Sequence, residues 1–198
     1  MADDMQNAFR SARLQYRALE QTDEDKTFYH KIQNIPSVFS SSDSSVLRPQ
    51  TKTRMDEEVK ERQKSLIFCL ICLPKESSTE VTSIGMIALD NEPEDWYRHH
   101  HRTTTLQISI LPEFQNKGYG SEAINWALDW AFLRANIHSV SLGCMEYNDR
   151  GKHLYEKLGF VLEGRFRKSV WHERKWWDML LFSMLEDEWE ALRGWKKS

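Results

Sequence analysis

QNKGYGSEA (residues 115–123) sets a lysine and two glycines between two runs of different period. Before it, Leu106, Ile108 and Ile110 alternate with Gln107 and Ser109, which predicts a strand. After it, Ile124, Ala127, Leu128, Ala131 and Phe132 recur at helical spacing. The expected local order is strand, glycine turn, helix. A helix opening in such a turn leaves its first backbone N–H groups free, and glycines allow close approach, so the turn suits an anion such as phosphate. Lys117 adds a positive charge at the rim. Gly118-x-Gly120-x-x-Ala123 also fits G-x-G-x-x-A, on its own a weak dinucleotide-binding fingerprint. The intervening PEFQN (112–116) and the order of the other elements count against a Rossmann turn, and no Walker A pattern occurs.

Composition sets the frame. The chain has 198 residues, 40% hydrophobic and 29% charged, which is ordinary for one globular domain. A formal charge of −3 gives no overall basic footprint, so no nucleic-acid partner is expected. The longest apolar run, LIFCLICL (66–73), has strand length and falls short of a membrane span, so no membrane partner is expected. The N-terminal MADDMQNAFR lacks the apolar stretch of a secretory signal, and the cytosol or nucleus is the expected location. Cys69 and Cys72 form a C-x-x-C, but inside a strand i and i+3 face opposite sides, so both are expected as buried small hydrophobes. HHH (99–101) offers no partner at metal-ligand spacing, and no metal is expected.

Along the chain, 13–20 alternates as a first strand, and 22–33 reads as a helix capped by Thr22. SSSDSS (40–45) is expected as a polar loop and 54–64 as a charged surface helix. Strands follow at 65–73, 82–90, 104–111 and 138–146, with the 121–135 helix between the last two. NDRGKHLYEKLGF (148–160) reads as a short helix capped by Asn148 or Asp149 and ended by Gly159. Two long strand-like runs and an amphipathic tail complete the chain. The expected class is α/β (α+β): a mixed, mostly antiparallel sheet flanked by helices. Residues 1–11 are expected as a tail, 12–185 as the domain and 186–198 as a C-terminal helix.

Two segments in sequence, ISILPEFQNKGYGSEA (108–123) and NDRGKHLYEKLGF (148–160), resemble motifs of the GNAT N-acetyltransferase superfamily: Q/R-x-x-G-x-G/A after a strand, and N-x-x-A-x-x-x-Y-x-K-x-G-F. Residues 162–185 are similar to the hairpin of its RimJ/RimL-type branch. The resemblance implies a sheet splayed between the strands at 104–111 and 138–146. It implies acetyl-CoA in that wedge: backbone of Ile108, Ser109 and Ile110 beside the pantetheine, the loop Gln115, Asn116, Lys117, Gly118, Tyr119, Gly120 and Ser121 on the pyrophosphate, and Asn148 nearby. It implies Tyr155 as the general acid for the departing thiolate, and as acceptor a primary amine, either a small molecule or a peptide N-terminus. Gly151 stands where the family usually has Ala.

No general base is singled out from Glu113, Glu146, Glu163, Glu173 and Asp178. Of the adjacent Trp176 and Trp177, one is expected to line the acceptor cleft or an oligomer contact. A monomer or homodimer is expected. Two other classes stay open: an NAD(P)-dependent oxidoreductase using the G-x-G-x-x-A turn, and a non-catalytic CoA-binding interaction module.

Overall fold

The computed structural model of the chain describes residues 5–75, 80–91 and 99–195. The elements are β1 (Gln15–Ala18), α1 (Asp23–Gln33), α2 (Pro36–Ser42), α3 (Lys52–Arg62), β2 (Ile67–Pro74), β3 (Val81–Asn91), β4 (Thr103–Ile110), α4 (Tyr119–Leu133), β5 (Ser139–Met145), α5 (Asp149–Lys157), β6 (Val161–His172), β7 (Lys175–Leu185) and α6 (Glu186–Arg193). Among these residues no helix is long and apolar enough to cross a membrane.

Seven strands form one sheet in the order β1-β2-β3-β4-β5-β7-β6. Every neighbouring pair is antiparallel except β4 with β5. A sheet with one parallel pair is not a Rossmann sheet, which removes the structural basis of the dinucleotide reading. The run at β2 is apolar throughout because both faces are covered. Cys69 and Ile71 join the main core beneath α4, while Leu70 and Cys72 pack with Tyr29, Met55 and Val59 of α1 and α3. The two cysteines thus lie on opposite faces as free, buried thiols, and burial pushes that of Cys69 up to about 12.

The cap signals are present. The Thr22 hydroxyl accepts from the Asp25 N–H and that of Thr51 from the Arg54 N–H. Gly159 has φ +93° at the end of α5, where a Cβ would also come within 2.6 Å of Leu192 Cδ1. The N-terminal segment folds back on α4: Trp126 donates to the Ala8 carbonyl at 2.9 Å, and its indole stacks on Tyr16 at 3.7 Å.

One local expectation fails. Ser40–Ser42 belong to α2, not to a loop, and the irregular stretch starts at Asp43. Serine is a weak helix former, but Pro36 starts the helix, and Val38 and Phe39 are buried. The Ser41 and Ser42 hydroxyls turn back to the carbonyls of Ser37 and Val38.

Pairing between β4 and β5 covers only Thr103–Ser139, Thr104–Val140 and Thr105–Ser141. Beyond these, β4 runs on to Ile110 and β5 to Met145 without pairing to each other. The sheet is splayed there, and one edge of β4 from Leu106 to Ile110 has no strand partner.

Candidate active site

The splay is floored by the open edge of β4 and walled by the start of α4, by α5 and by α2. At α4 the N-cap is Gly118, in the left-handed region at φ +82°, and no side chain caps the helix. Asn116 is also left-handed, at φ +59°, a conformation Asn tolerates. The first amides of a 15-residue helix are therefore free of any side-chain cap. Gln115 braces this loop: its Nε2 donates to the Ile110 carbonyl at 2.8 Å, and its Oε1 accepts from Arg150 of α5.

A cleft of about 260 Å³ occupies the splay. Ile108, Ser109, Ile110, Gln115, Asn116, Gly118, Gly120, Ser121, Asn148 and Tyr155 all line it, together with Arg150 and Lys157. Lys117 and Tyr119 do not. The Lys117 ammonium lies 5.4 Å over the Phe114 ring, and the Arg13 guanidinium lies 4.7 Å over the Tyr119 ring. Arg13 also donates to the Lys117 carbonyl and to Glu122.

Asn148 caps α5 by accepting from the Gly151 N–H at 2.9 Å, and its Nδ2 donates to the Ser41 carbonyl at 3.2 Å. Both ends of the amide are thus used inside the protein. A Cβ at position 151 would stand 2.8 Å from that Nδ2. Glycine at 151, the departure from the family pattern, makes room for this amide. Next to it, the Tyr147 hydroxyl donates to the Ser40 carbonyl at 2.7 Å, so two bonds tie the C-terminal end of α2 across the splay.

The Tyr155 ring packs against Phe160 and Phe182, and its hydroxyl makes no hydrogen bond to any described residue. Burial, reinforced by the neighbouring Cys144 and partly opposed by Arg150, holds its phenol well above the usual value. It therefore carries its proton throughout the neutral range.

A second cleft, of about 340 Å³, shares Ser41, Ser42, Ile108, Ser109 and Tyr155 with the first. Its other walls bring Gln33 of α1, Glu58 and Arg62 of α3, and Met86, Met145 and Met179 of the sheet. These polar residues were not legible in the sequence, where α3 reads as a solvated charge run. None of Glu113, Glu146, Glu163, Glu173 and Asp178 lines either cleft. Asp178 instead holds the β6–β7 hairpin: it accepts from the Lys168 N–H at 2.8 Å, where φ is +50°, and pairs with Arg165 at 3.1 Å. Glu163 accepts from the Ser183 hydroxyl, and Glu146 from the Asp178 N–H. Trp176 is exposed against Trp171, and Trp177 packs edge-on to Tyr147 under Lys175; neither lines either of these two clefts.

The arrangement fits a CoA thioester. The uncapped helix start and Arg150 suit phosphates, the unpaired β4 edge suits an amide-bearing arm, and the shared residue at its far end is a protonated phenol. Comparison with known proteins agrees. The chain is 36% identical over 78 residues to the uncharacterized N-acetyltransferase YnaD of Bacillus subtilis, covering 39% of this chain and 46% of that protein. It is 35% identical over 88 residues to the spermidine N(1)-acetyltransferase of Vibrio cholerae, covering 44% and 51%. The chain thus spans about half the length of these curated relatives. The solved structure of the Vibrio cholerae spermidine N-acetyltransferase in complex with CoA and spermine superimposes with a TM-score of 0.75 at 25% identity, covering 90% of this chain and 99% of that one. The profile of the acetyltransferase (GNAT) family matches residues 19–160, and the chain belongs to that family.

Proposed function

We propose that this protein is an acetyl-CoA-dependent N-acetyltransferase that acts on a primary amine by direct attack within a ternary complex. One observation carries the reading: the cleft in the splay adjoins a second one, and the two share Tyr155 together with Ile108 and Ser109 of the β4 edge. A cofactor in the first and an acceptor in the second would face each other there. Acetyl-CoA supplies an acyl group on a thiolate leaving group whose thiol resembles free cysteine, with a pKa of about 8.5. The chain's own residues do the rest. Backbone N–H groups at the start of α4, with Gly118 and Gly120 keeping the approach open, hold the phosphates. The β4 edge at Ile108, Ser109 and Ile110 orients the arm. Tyr155 keeps a proton available for the departing sulfur. The acceptor nitrogen must be neutral when it attacks, and water in the second cleft provides a route for its proton.

Relatives named for spermidine support a small aliphatic acceptor; an exposed peptide N-terminus presents the same nucleophile. The likeness of residues 162–185 to the hairpin of the RimJ/RimL-type branch supports placing the chain in that group. Calorimetry with acetyl-CoA and NADP⁺, followed by thiol release with an amine panel, tests the proposal. The expected result is acetyl-CoA binding and amine-dependent thiol release. NADP⁺ binding in its place would overturn it. Acetyl-CoA binding with no thiol release from any amine would leave an interaction module.

A further inference from the structure

We infer that Arg13 is a positioning residue for the cofactor: its bond to the Lys117 carbonyl turns the Gly118 N–H toward the phosphates of CoA. For the identity of that ligand this rests on the acetyltransferase reading. Gly118 lines the cleft in the splay, whereas Arg13 does not. The effect of Arg13 on CoA therefore passes through the turn.

The peptide between Lys117 and Gly118 is the point of action. Its carbonyl accepts from Arg13 Nη1 at 3.0 Å. A trans peptide is planar, and its C=O and N–H point in opposite directions. A carbonyl fixed on Arg13 therefore fixes the N–H on the other side, away from the guanidinium. That N–H donates to no described residue. Glycine populates either sign of φ, so the residue at 118 does not by itself set this peptide plane. Left-handed Asn116 and Gly118 flank Lys117, the kind of turn whose successive N–H groups make an anion-holding concavity.

Glu122 holds Arg13 in place. The Arg13 Nε donates to Glu122 Oε2 at 2.7 Å, and the Arg13 backbone N–H donates to Oε1 at 2.6 Å. The Ser11 hydroxyl adds a third bond to Oε1, at 2.7 Å. Burial alone would raise the Glu122 carboxyl, but these bonds and the Arg13 charge outweigh it, and the net shift is downward. The guanidinium lies against the turn itself: a Cβ at position 118 would stand 3.2 Å from its Nη2. By charge alone, a carboxylate in the first turn of α4 works against a bound phosphate. Its role is to hold the arginine.

The test is calorimetry with CoA on the full chain. Arg13→Met keeps the apolar stem and removes the guanidinium. It is expected to weaken CoA about 10- to 100-fold, the range for one hydrogen bond to a charged group. Glu122→Gln sets an amide N–H against Arg13 Nε, donor against donor, and releases the arginine. It is expected to weaken CoA several-fold, although loss of the negative charge would by itself tighten binding. Both losses are expected to persist between about 0.05 and 0.5 M salt, where a charge effect alone from a half-exposed arginine would be screened. In amide NMR spectra the Gly118 resonance is expected to shift with CoA in wild type, and to shift less in Arg13→Met at saturating CoA. A general loss of stability would not produce that difference. Should Arg13→Met fail to fold, the sign of the Glu122→Gln effect decides alone. Arg13→Met with wild-type affinity, Glu122→Gln that binds CoA more tightly, or a loss that vanishes at high salt would each overturn the inference and leave the acetyltransferase reading intact. Wild type that binds no CoA would sink that reading, and the inference with it. Arg13-dependent CoA binding without thiol release from any amine would remove the transferase activity and leave the positioning role standing.

Discussion

Tyr155 has two contributions that its neighbours separate: a ring in the core and a hydroxyl with no hydrogen-bond partner among the described residues. Tyr155→Phe keeps the ring and removes only the proton donor. It is expected to lower kcat by roughly 10- to 10⁴-fold, with acetyl-CoA affinity and Tm unchanged. Single-turnover kinetics are the measurement, because slow product release would mask the step; an unchanged rate there reduces Tyr155 to packing. The glycines separate similarly. Gly118 is left-handed, so any side chain there strains the turn whether or not a ligand binds. Gly120 is helical, and a Cβ there would meet Leu154 and Ile110 at 3.5 and 3.7 Å, ordinary contact distances. Gly120→Ala should therefore fold, with a helix gain of up to about 1 kcal/mol, while placing a methyl in the cofactor cleft. Calorimetry is expected to show acetyl-CoA binding weakened by roughly tenfold or more, the equivalent of about 1.4 kcal/mol. An Ala variant with wild-type affinity would move the phosphate site away from α4.

At the scale of elements, α1 is fastened to β1 through one buried carboxylate. Asp25 accepts from both terminal nitrogens of Arg17, at 2.7 and 2.6 Å, and from the Glu20 N–H at 2.8 Å. Burial alone would raise its pKa, but the Arg17 and Glu20 hydrogen bonds and the Arg17 charge outweigh it, and the net shift is downward. The unfolded chain therefore binds a proton at this site more readily than the folded one does. The stability that Asp25 contributes is present above about pH 4, the unfolded carboxylate value, and is lost as pH falls through the lower folded value. Asp25→Asn is expected to cost roughly 2–4 kcal/mol at pH 7, somewhat below a wholly buried pair because Arg17 reaches solvent. Urea denaturation of wild type and variant at pH 7 and pH 3 checks it: the gap must narrow at pH 3, and a constant gap would assign the loss to packing. Thr22 and the acids after it were legible as a helix start, whereas the pairing to Arg17 was not, since it depends on β1 lying beside α1. The same distinction explains α2 and α3. Serine-rich and charge-rich runs carry no signal of which face meets the sheet, so neither the tie from Asn148 to Ser41 nor the place of Glu58 could be read. Lys117 and Tyr119 show a related limit: the sequence locates the turn, but not which of its residues line the cleft.

For the whole molecule, the period-two and helical runs around residues 104–146 made a strand–helix–strand unit legible, and the mixture of hairpins with crossovers made the sheet type legible. The point where two parallel strands part company is not a property of either strand's pattern. Leu106 and Leu142 are both buried, as in a closed sheet. What separates the strands is the rest of the fold: β7 takes the far edge of β5 through to Met145, β3 takes that of β4 through to Ile110, and α2 and α5 stand in the opening. An edge left without a strand partner makes a prediction about dynamics. Its amides should exchange with solvent faster than those of β2 and β3, which are paired on both sides. Acetyl-CoA that binds only the folded state should add about 2.7 kcal/mol of stability at one hundred times its Kd. For a domain of this size that is a Tm rise of roughly 5–10 °C. Hydrogen exchange should show the new protection in 106–110 and 118–121, with α1 and β1 little changed. Stabilisation without protection at those two segments would mean that the ligand sits elsewhere, and that the splay is a feature of the fold and not its binding site.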